Sequence, residues 1–128
     1  ATTGRARRCG WFDAVMTRYA CRLNGVTELA LTNLDGLDSV GKIKVCTAYR
    51  IDGKKLTVPP ASAEVLKRVE PVYRTFRGWQ QDTSGCRSWQ ELPAEAKTYL
   101  KVISELVETP LGIISVGPDR DQTFKKNR

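Results

Sequence analysis

The stretch from Asp13 to Thr32, Asp-Ala-Val-Met-Thr-Arg-Tyr-Ala-Cys-Arg-Leu-Asn-Gly-Val-Thr-Glu-Leu-Ala-Leu-Thr, predicts a helix followed at once by a strand. Asp13 is a good N-cap, and Gly25 ends the helix at about Asn24. Residues 27–32 read as a short buried strand. One face of the helix is apolar and should meet the core; its members are Val15, Met16, Tyr19, Ala20 and Leu23.

The rest of the chain continues this alternation. A polar turn over residues 33–38, a loop at Pro59-Pro60 and an irregular excursion over residues 80–90 separate the predicted elements. The predicted strands cover residues 42–51, 55–58, 69–76 and 111–116, and the second of them returns after the hairpin signal Asp52-Gly53. A second helix is predicted from Pro93 to about Val107. Its core positions are Ala96, Leu100, Ile103 and Leu106 or Val107. The alternation of helices with short apolar strands predicts an α/β fold.

The first eleven residues have no helical or strand period and are suited to holding an anion. Thr2 and Thr3 offer hydroxyl groups, and Gly4 can take a left-handed conformation that turns successive N–H groups inward. The arginines at positions 5, 7 and 8 add planar forks that match carboxylate and phosphate. From composition alone, a solvated basic arm is an equally good interpretation.

Two predicted strands end in polar residues. Thr32-Asn33-Leu34-Asp35 follows the first strand and Ser115-Val116-Gly117 ends the last. Ligands of open α/β sheets bind beyond the carboxyl ends of the strands. The Asp35 carboxylate can accept from the N1–H and 2-amino group of guanine, although residues of this type after a strand are usually turn formers.

The charge pattern leaves a second hypothesis open. The net charge is +7, and Arg74 and Arg77 lie near Phe76 and Trp79, an arrangement that nucleic-acid binding proteins use to stack on bases. Against this, the basic residues do not form one helical stripe. A strand with alternating surface arginines explains them as well.

The four cysteines are scattered and the chain has no histidine, which makes a zinc site improbable. Cys21 and Cys46 fall in apolar periods and should pack as small hydrophobic residues. Without a secretion leader or a long apolar run, we expect reduced cysteines, a cytoplasmic location and no membrane contact.

Several motifs in order resemble the adenylosuccinate synthetase family. They are Thr2-Thr3-Gly4-Arg5-Ala6-Arg7-Arg8-Cys9-Gly10-Trp11, Leu31-Thr32-Asn33-Leu34-Asp35, Ala48-Tyr49-Arg50, Val69-Glu70-Pro71-Val72-Tyr73, Gly78-Trp79, Glu91-Leu92-Pro93 and Ile113-Ile114-Ser115-Val116-Gly117-Pro118-Asp119-Arg120. The resemblance implies the carboxyl-terminal part of a P-loop-NTPase-like, mostly parallel sheet flanked by helices, with a β-hairpin. It also implies that residues 1–128 are the carboxyl-terminal portion of a single larger domain, whose amino-terminal phosphate-loop part is absent.

The resemblance assigns roles residue by residue. It implies that aspartate and IMP are bound by Ala1, Thr2, Thr3, Gly4, Arg5, Ala6 and Arg7. Within this loop, Arg5 lies on the IMP side and Arg7 reaches GTP. It implies that GTP is also bound by Asn33, Leu34, Asp35, Ser115, Val116 and Gly117. Arg8 is expected only to hold the loop by a salt bridge. Asn33 departs from the family, which has a lysine there whose stem would cover the purine face.

The family reaction phosphorylates the 6-oxo oxygen of IMP with GTP, and the aspartate amine then displaces phosphate at C6. That step needs a Gly-rich phosphate loop, a magnesium-binding carboxylate and a histidine, and this sequence contains none of the three. We therefore expect Mg²⁺ ligands outside this chain, GTP as co-substrate, a homodimer at full length and no catalysis by these residues alone. The alternative is a non-enzymatic basic module that binds nucleic acid or other anionic partners.

Overall fold

The structure is a computed structural model that describes residues 4–126. The strands in these residues are β1 (Phe12–Asp13), β2 (Leu29–Leu31), β3 (Lys42–Ile51), β4 (Lys54–Leu56), β5 (Glu70–Arg77), β6 (Leu111–Ser115) and β7 (Thr123–Lys125). The α-helices are α1 (Ala14–Asn24), α2 (Ala63–Leu66) and α3 (Ala94–Val107), and short 3₁₀ turns occupy Leu34–Leu37 and Arg120–Gln122.

Helix α1 has the predicted bounds and caps. The Met16 N–H donates to the Asp13 carboxylate at 3.0 Å, and Gly25, at φ 60°, ends the helix in a left-handed conformation. The predicted core face is wrong apart from one residue. Ala14, Val15 and Cys21 are the buried members, because α1 packs against β3 and α3 along that side. Among the described residues, nothing covers the other predicted members, and all four are exposed: Met16, Tyr19, Ala20 and Leu23.

Strand β3 organises the larger sheet. It pairs antiparallel with β5 on one side, and on the other side with β1 in parallel and with β4 antiparallel. The β3–β4 turn is the predicted hairpin, with Asp52 at φ 49° and Gly53 at φ 76°. Strand β5 begins and ends one residue later than predicted.

The second sheet contains β2, β6 and β7. Strand β2 pairs in parallel with β6, and β7 pairs antiparallel with β6. The α/β class is therefore confirmed. Strand pairing within this chain is mixed rather than mostly parallel, since three of the five strand pairs are antiparallel. Strand β2 is also half-buried rather than buried, because its Ala30 pairs with Ile113 on a face that the described residues leave exposed.

Helix α3 lies across the core with the predicted residues inward. Ala96, Leu100 and Ile103 are fully buried, as is Val107, whereas Leu106 is half-buried. Residues 80–90 contain no helix or strand, as predicted. None of the helices among residues 4–126 is long and apolar enough to cross a membrane.

Candidate functional site

The two polar strand ends singled out in the sequence lie side by side. Leu31 of β2 is in register with Ile114 of β6, and the two strands run in parallel. Their carboxyl ends therefore meet at one edge of the smaller sheet, where ligands of α/β proteins bind. The 3₁₀ turn after β2 also contacts β6. The β2–β6 pairing thus brings residues 33–35 and 115–117 together.

The first strand end places an unpaired acceptor at this edge. Asn33 adopts φ 57° and ψ 35°, a left-handed conformation that asparagine tolerates well, and Leu34 is fully buried behind it. Asp35 follows in the first turn of the 3₁₀ helix, where its Oδ1 is buried and has no hydrogen-bond partner in the described structure. A buried acceptor without a donor costs about 1–3 kcal/mol. Asp35 is therefore placed to accept from a bound molecule.

At the second strand end, polar groups form hydrogen bonds with other groups of this chain. The Ser115 hydroxyl donates to the Gly117 carbonyl at 2.9 Å, and the Val116 N–H donates to the Gln122 carbonyl at 3.0 Å. The close neighbour of Gly117 is the Gln122 side chain, whose amide a Cβ on Gly117 would meet. A side chain at position 117 would therefore have to displace the Gln122 amide.

The amino-terminal loop offers free cationic groups. Gly4 has φ 62°, the left-handed conformation predicted for it. The Arg5, Arg7 and Arg8 side chains are exposed and pair with no acid among residues 4–126, so the salt bridge expected of Arg8 is not formed within that range. Ala6 is exposed beside them. Ala1, Thr2 and Thr3, which are also predicted to bind substrate, lie outside the described residues.

One cleft joins this loop to the first strand end. Its volume is about 500 Å³, and the end of the loop from Cys9 to Phe12 forms one wall. The other residues that line it are Ala30, Leu31, Thr32, Asn33, Leu34, Gly36, Leu37 and Tyr99. The end of the predicted anion loop and the first residues of the predicted base-binding turn therefore line the same cleft, whereas Arg5, Arg7, Asp35 and residues 115–117 are not among its lining residues.

The network behind the site was not predicted from the sequence. The Asp38 carboxylate accepts from Trp79 Nε1 at 2.7 Å, from the Thr83 N–H at 2.7 Å and from the Thr83 hydroxyl at 2.8 Å. Thr83 is fully buried and lies 45 residues from Asp38 in the chain. No periodicity links two such residues, and the sequence marks Asp38 only as the end of a polar turn.

The aromatic rings considered for nucleic-acid stacking are not available for it. Phe76 and Trp79 are buried in the core, where both pack against Tyr99. Trp79 also donates its indole N–H to Asp38. Arg74 lies over the Phe76 ring, at 4.9 Å from its centroid, and so covers the ring's outer face. The stacking hypothesis is wrong for this pair of rings.

The cysteines of the described chain are all unpaired thiols. Cys21 and Cys46 are buried, as the sequence predicts. Burial raises the pKa of the Cys46 thiol, and the nearby Asp13 carboxylate raises it further, so this thiol stays protonated at neutral pH. Within residues 4–126, no three His, Cys, Asp or Glu side chains come together as metal ligands would.

Comparison with known proteins decides the family. The family model described as adenylosuccinate synthetase matches residues 1–124, nearly the whole chain. The chain belongs to the adenylosuccinate synthetase family.

Curated adenylosuccinate synthetases support the assignment in sequence. The enzyme of Picosynechococcus sp. is 55% identical over 123 residues, which are 96% of this chain and 28% of that protein. The enzyme of Magnetococcus marinus is 49% identical over 97% of this chain and 29% of its own length. The chain thus spans less than a third of the adenylosuccinate synthetases that it matches.

A solved structure supports the assignment in three dimensions. The fully ligated adenylosuccinate synthetase from Plasmodium falciparum superposes with a TM-score of 0.93 at 37% sequence identity. The match covers 98% of this chain and 31% of that protein. At this identity and TM-score, the fold of the family is present in the chain.

Proposed function

We propose that the intact protein ligates IMP and L-aspartate to adenylosuccinate with GTP as co-substrate, and that this chain is the carboxyl-terminal portion of its single large domain. Family membership over residues 1–124 supports the proposal, as does a chain length less than a third of that of its relatives. GTP transfers a phosphoryl group to the 6-oxo oxygen of IMP. The aspartate amine then attacks C6, and phosphate leaves.

Asp35 carries the proposal. Its buried Oδ1 has no partner in the described structure and lies at the edge where β2 and β6 end together. Guanine presents two parallel donors, N1–H and the 2-amino group, which a carboxylate accepts with both oxygens. Adenine lacks this donor pair. A free carboxylate at this position therefore selects GTP over ATP.

The neighbouring residues complete the guanine pocket. Leu34, next to Asp35, is buried, and residues 115–117 form the other side of the pocket. We call the space between Asp35 and residues 115–117 the guanine slot. The Ser115 hydroxyl holds the Gly117 carbonyl in place. Asn33 is exposed. Its side chain is too short to cover the purine face as a lysine stem would.

The amino-terminal loop binds the other substrates. Arg5 holds the aspartate carboxylate and reaches the IMP side, while Arg7 reaches GTP; their exposed, unpaired side chains in the described chain support these roles. The cleft of about 500 Å³ leads from the end of this loop to Asn33. Ala1, Thr2, Thr3, Gly4 and Ala6 form the rest of the aspartate loop.

The chemical centre lies elsewhere in the intact protein. In our proposal a phosphate loop, a catalytic carboxylate and a histidine, together with the ligands of Mg²⁺, come from outside this chain. The described side chains offer no cluster of ligands that could hold the metal. The intact enzyme works as a homodimer in the cytoplasm, and the unpaired thiols are consistent with a reducing compartment.

The test replaces one carboxylate oxygen of Asp35 by an amide nitrogen. In the full-length protein, Asp35→Asn places an amide NH₂ opposite a guanine donor, and the mismatch costs about 1–3 kcal/mol. Xanthine carries an oxygen at C2, so the variant should prefer xanthosine triphosphate over GTP. The measurement is kcat/KM for adenylosuccinate formation with each nucleotide.

Asp52→Asn is the matched control. Asp52 lies in the β3–β4 hairpin with its side chain 76% exposed, and its only described ion pair is with Arg68. This variant should keep the wild-type nucleotide preference. Wild-type GTP affinity in Asp35→Asn, with equal use of both nucleotides, would show that Asp35 is only a turn residue.

A further inference from the structure

The segment over residues 79–86, which we call the strap, crosses behind both strand ends of the site. Apart from Trp79, it belongs to the irregular excursion over residues 80–90, and it contains no helix or strand. Its Thr83 contacts the turn after β2, and the next residue, Ser84, contacts the turn after β6. Two consecutive residues therefore join the two walls of the proposed guanine slot.

The contact with the first wall is multiple and buried. Asp38 ends the 3₁₀ turn that holds Asp35, and its N–H donates to the Asp35 carbonyl at 3.1 Å. Trp79 and Thr83 donate three hydrogen bonds to the Asp38 carboxylate, and both donors are shielded from water. Charge-assisted bonds in such surroundings are strong and directional. The position of the strap thus fixes the position of the Asp35 turn.

The contact with the second wall passes through Gln122. Its Nε2 donates to the Ser84 carbonyl at 3.1 Å, and its Oε1 accepts from the Asp119 N–H at 3.0 Å. Its backbone carbonyl accepts from Val116, and its amide lies directly against Gly117. The Gln122 side chain is therefore held from several directions, so it transmits the position of Ser84 to residues 115–117.

We propose that the strap sets the distance between Asp35 and residues 115–117, with Thr83 and Gln122 as positioning residues for purine selectivity. Consecutive Cα atoms are about 3.8 Å apart, so the spacing of Thr83 and Ser84 cannot vary. The walls then keep one separation whether or not a nucleotide is bound. The inference rests on the proposed function, since the slot is defined there by GTP.

Two variants of the full-length protein each remove one bond. Thr83→Val removes the hydroxyl donor and leaves the Thr83 N–H on Asp38. Gln122→Glu removes the donor to Ser84 and retains an oxygen for Asp119. The Ser84 carbonyl keeps a second donor, Arg87 Nη1 at 2.7 Å, so the variant has no unpaired carbonyl. Gln122 is half-exposed, so we expect the Gln122→Glu variant to keep the fold.

The readout is the ratio of kcat/KM for GTP to that for inosine triphosphate, which lacks the 2-amino group. Each variant should lower this ratio about three- to tenfold, as loss of one hydrogen bond predicts, and leave the KM for aspartate unchanged. Thr83→Ser restores the hydroxyl and should restore the ratio.

Matched controls are Thr98→Val on the exposed side of α3 and Gln90→Glu on the surface. Both should keep the wild-type ratio. A lowered melting temperature with an unchanged ratio in Thr83→Val and Gln122→Glu would overturn the inference and leave the proposed function standing. A wild-type protein that forms no adenylosuccinate would overturn both.

Discussion

At the scale of single residues, Asn33 shows how backbone conformation limits a substitution. Its left-handed conformation, φ 57° and ψ 35°, suits asparagine because the short polar side chain adds little steric cost. In our proposal a lysine at the same position gains a stem that covers the purine of GTP, but it carries the cost of that conformation. Affinity and stability therefore change in opposite directions.

We expect Asn33→Lys in the full-length protein to lower the KM for GTP without changing that for aspartate. The same change should reduce the free energy of unfolding by about 1 kcal/mol. Steady-state kinetics and urea denaturation measure the two effects. Asn33→Ala is the control, since it brings the backbone cost without the stem. An equal KM for GTP in both variants would exclude a role for the stem.

Substitutions of Arg5 and Arg7 in the amino-terminal loop should affect the kinetics of different substrates. Arg5→Leu in the full-length protein removes a charge-assisted pair worth about 1.5–3 kcal/mol, so the KM for aspartate should rise and kcat should fall. Arg7→Leu should affect GTP and turnover more than aspartate. Each variant is the other's control, assayed with all three substrates. A change confined to GTP in Arg5→Leu would contradict the assignment of Arg5.

At the scale of elements, one hydrogen bond joins the start of α1 to the centre of the larger sheet. The Tyr49 hydroxyl donates to the Asp13 carboxylate, whose other oxygen caps α1. Burial raises the pKa of Tyr49, and the bond to Asp13 raises it further. The folded-state pKa thus lies above the ordinary value of about 10 in the unfolded chain.

Because the pKa of Tyr49 is raised in the folded state, the stability of the fold decreases at alkaline pH. The contribution of Tyr49 is fully present below about pH 10 and is lost as the pH rises toward its folded-state pKa. Burial raises the pKa of Tyr99 to about 12, which adds a loss in the same range. Tyr49→Phe should therefore lower stability at neutral pH by about 1 kcal/mol and make the alkaline loss shallower.

Urea denaturation of the purified chain between about pH 8 and pH 11 measures this effect. Tyr19→Phe is the control, because Tyr19 is 40% exposed on α1. Identical alkaline slopes for Tyr49→Phe and the parent chain would show that Tyr49 makes no titrating contribution.

The elements with local signals are the ones that the sequence predicts well. Helix α1 has a clear cap at each end, α3 begins directly after Pro93 and has a clear period, and β3 ends at a hairpin signal, so their bounds agree with the prediction. Strand β1 has only two residues and exists through its pairing with β3, which no local pattern reveals. Strand β7 and helix α2 are also too short to show a local pattern, so the sequence does not predict them.

The candidate site divides in the same way. Asp35 and residues 115–117 were recognisable as polar strand ends, and the β2–β6 pairing brings them together. The bonds from Thr83 to Asp38 and from Gln122 to Ser84 join residues tens of positions apart. Such contacts depend on how the whole chain packs. The burial of α1 failed as a prediction because a period shows that a face is apolar, not what covers it.

At the scale of the whole molecule, two apolar surfaces lack a partner within residues 4–126. On α1, Leu23 is 68% exposed, Tyr19 40% and Met16 38%. On the smaller sheet, Ile113 is 36% exposed beside Ala30. Contiguous apolar surface on a folded protein marks an interface. In our proposal, the remainder of the large domain covers both surfaces.

The purified 128-residue chain should therefore fold without being active. Circular dichroism should show the helices, and a dye for apolar surfaces should bind more strongly to it than to the full-length protein. No adenylosuccinate should form from IMP, aspartate and GTP, because the groups that transfer the phosphoryl lie outside the chain in our proposal. Leu23→Lys tests the surface itself, since it should reduce dye binding to the chain and destabilise only the full-length protein. Turnover by the isolated chain would overturn this division of roles, because it would place the phosphoryl-transfer groups among these 128 residues.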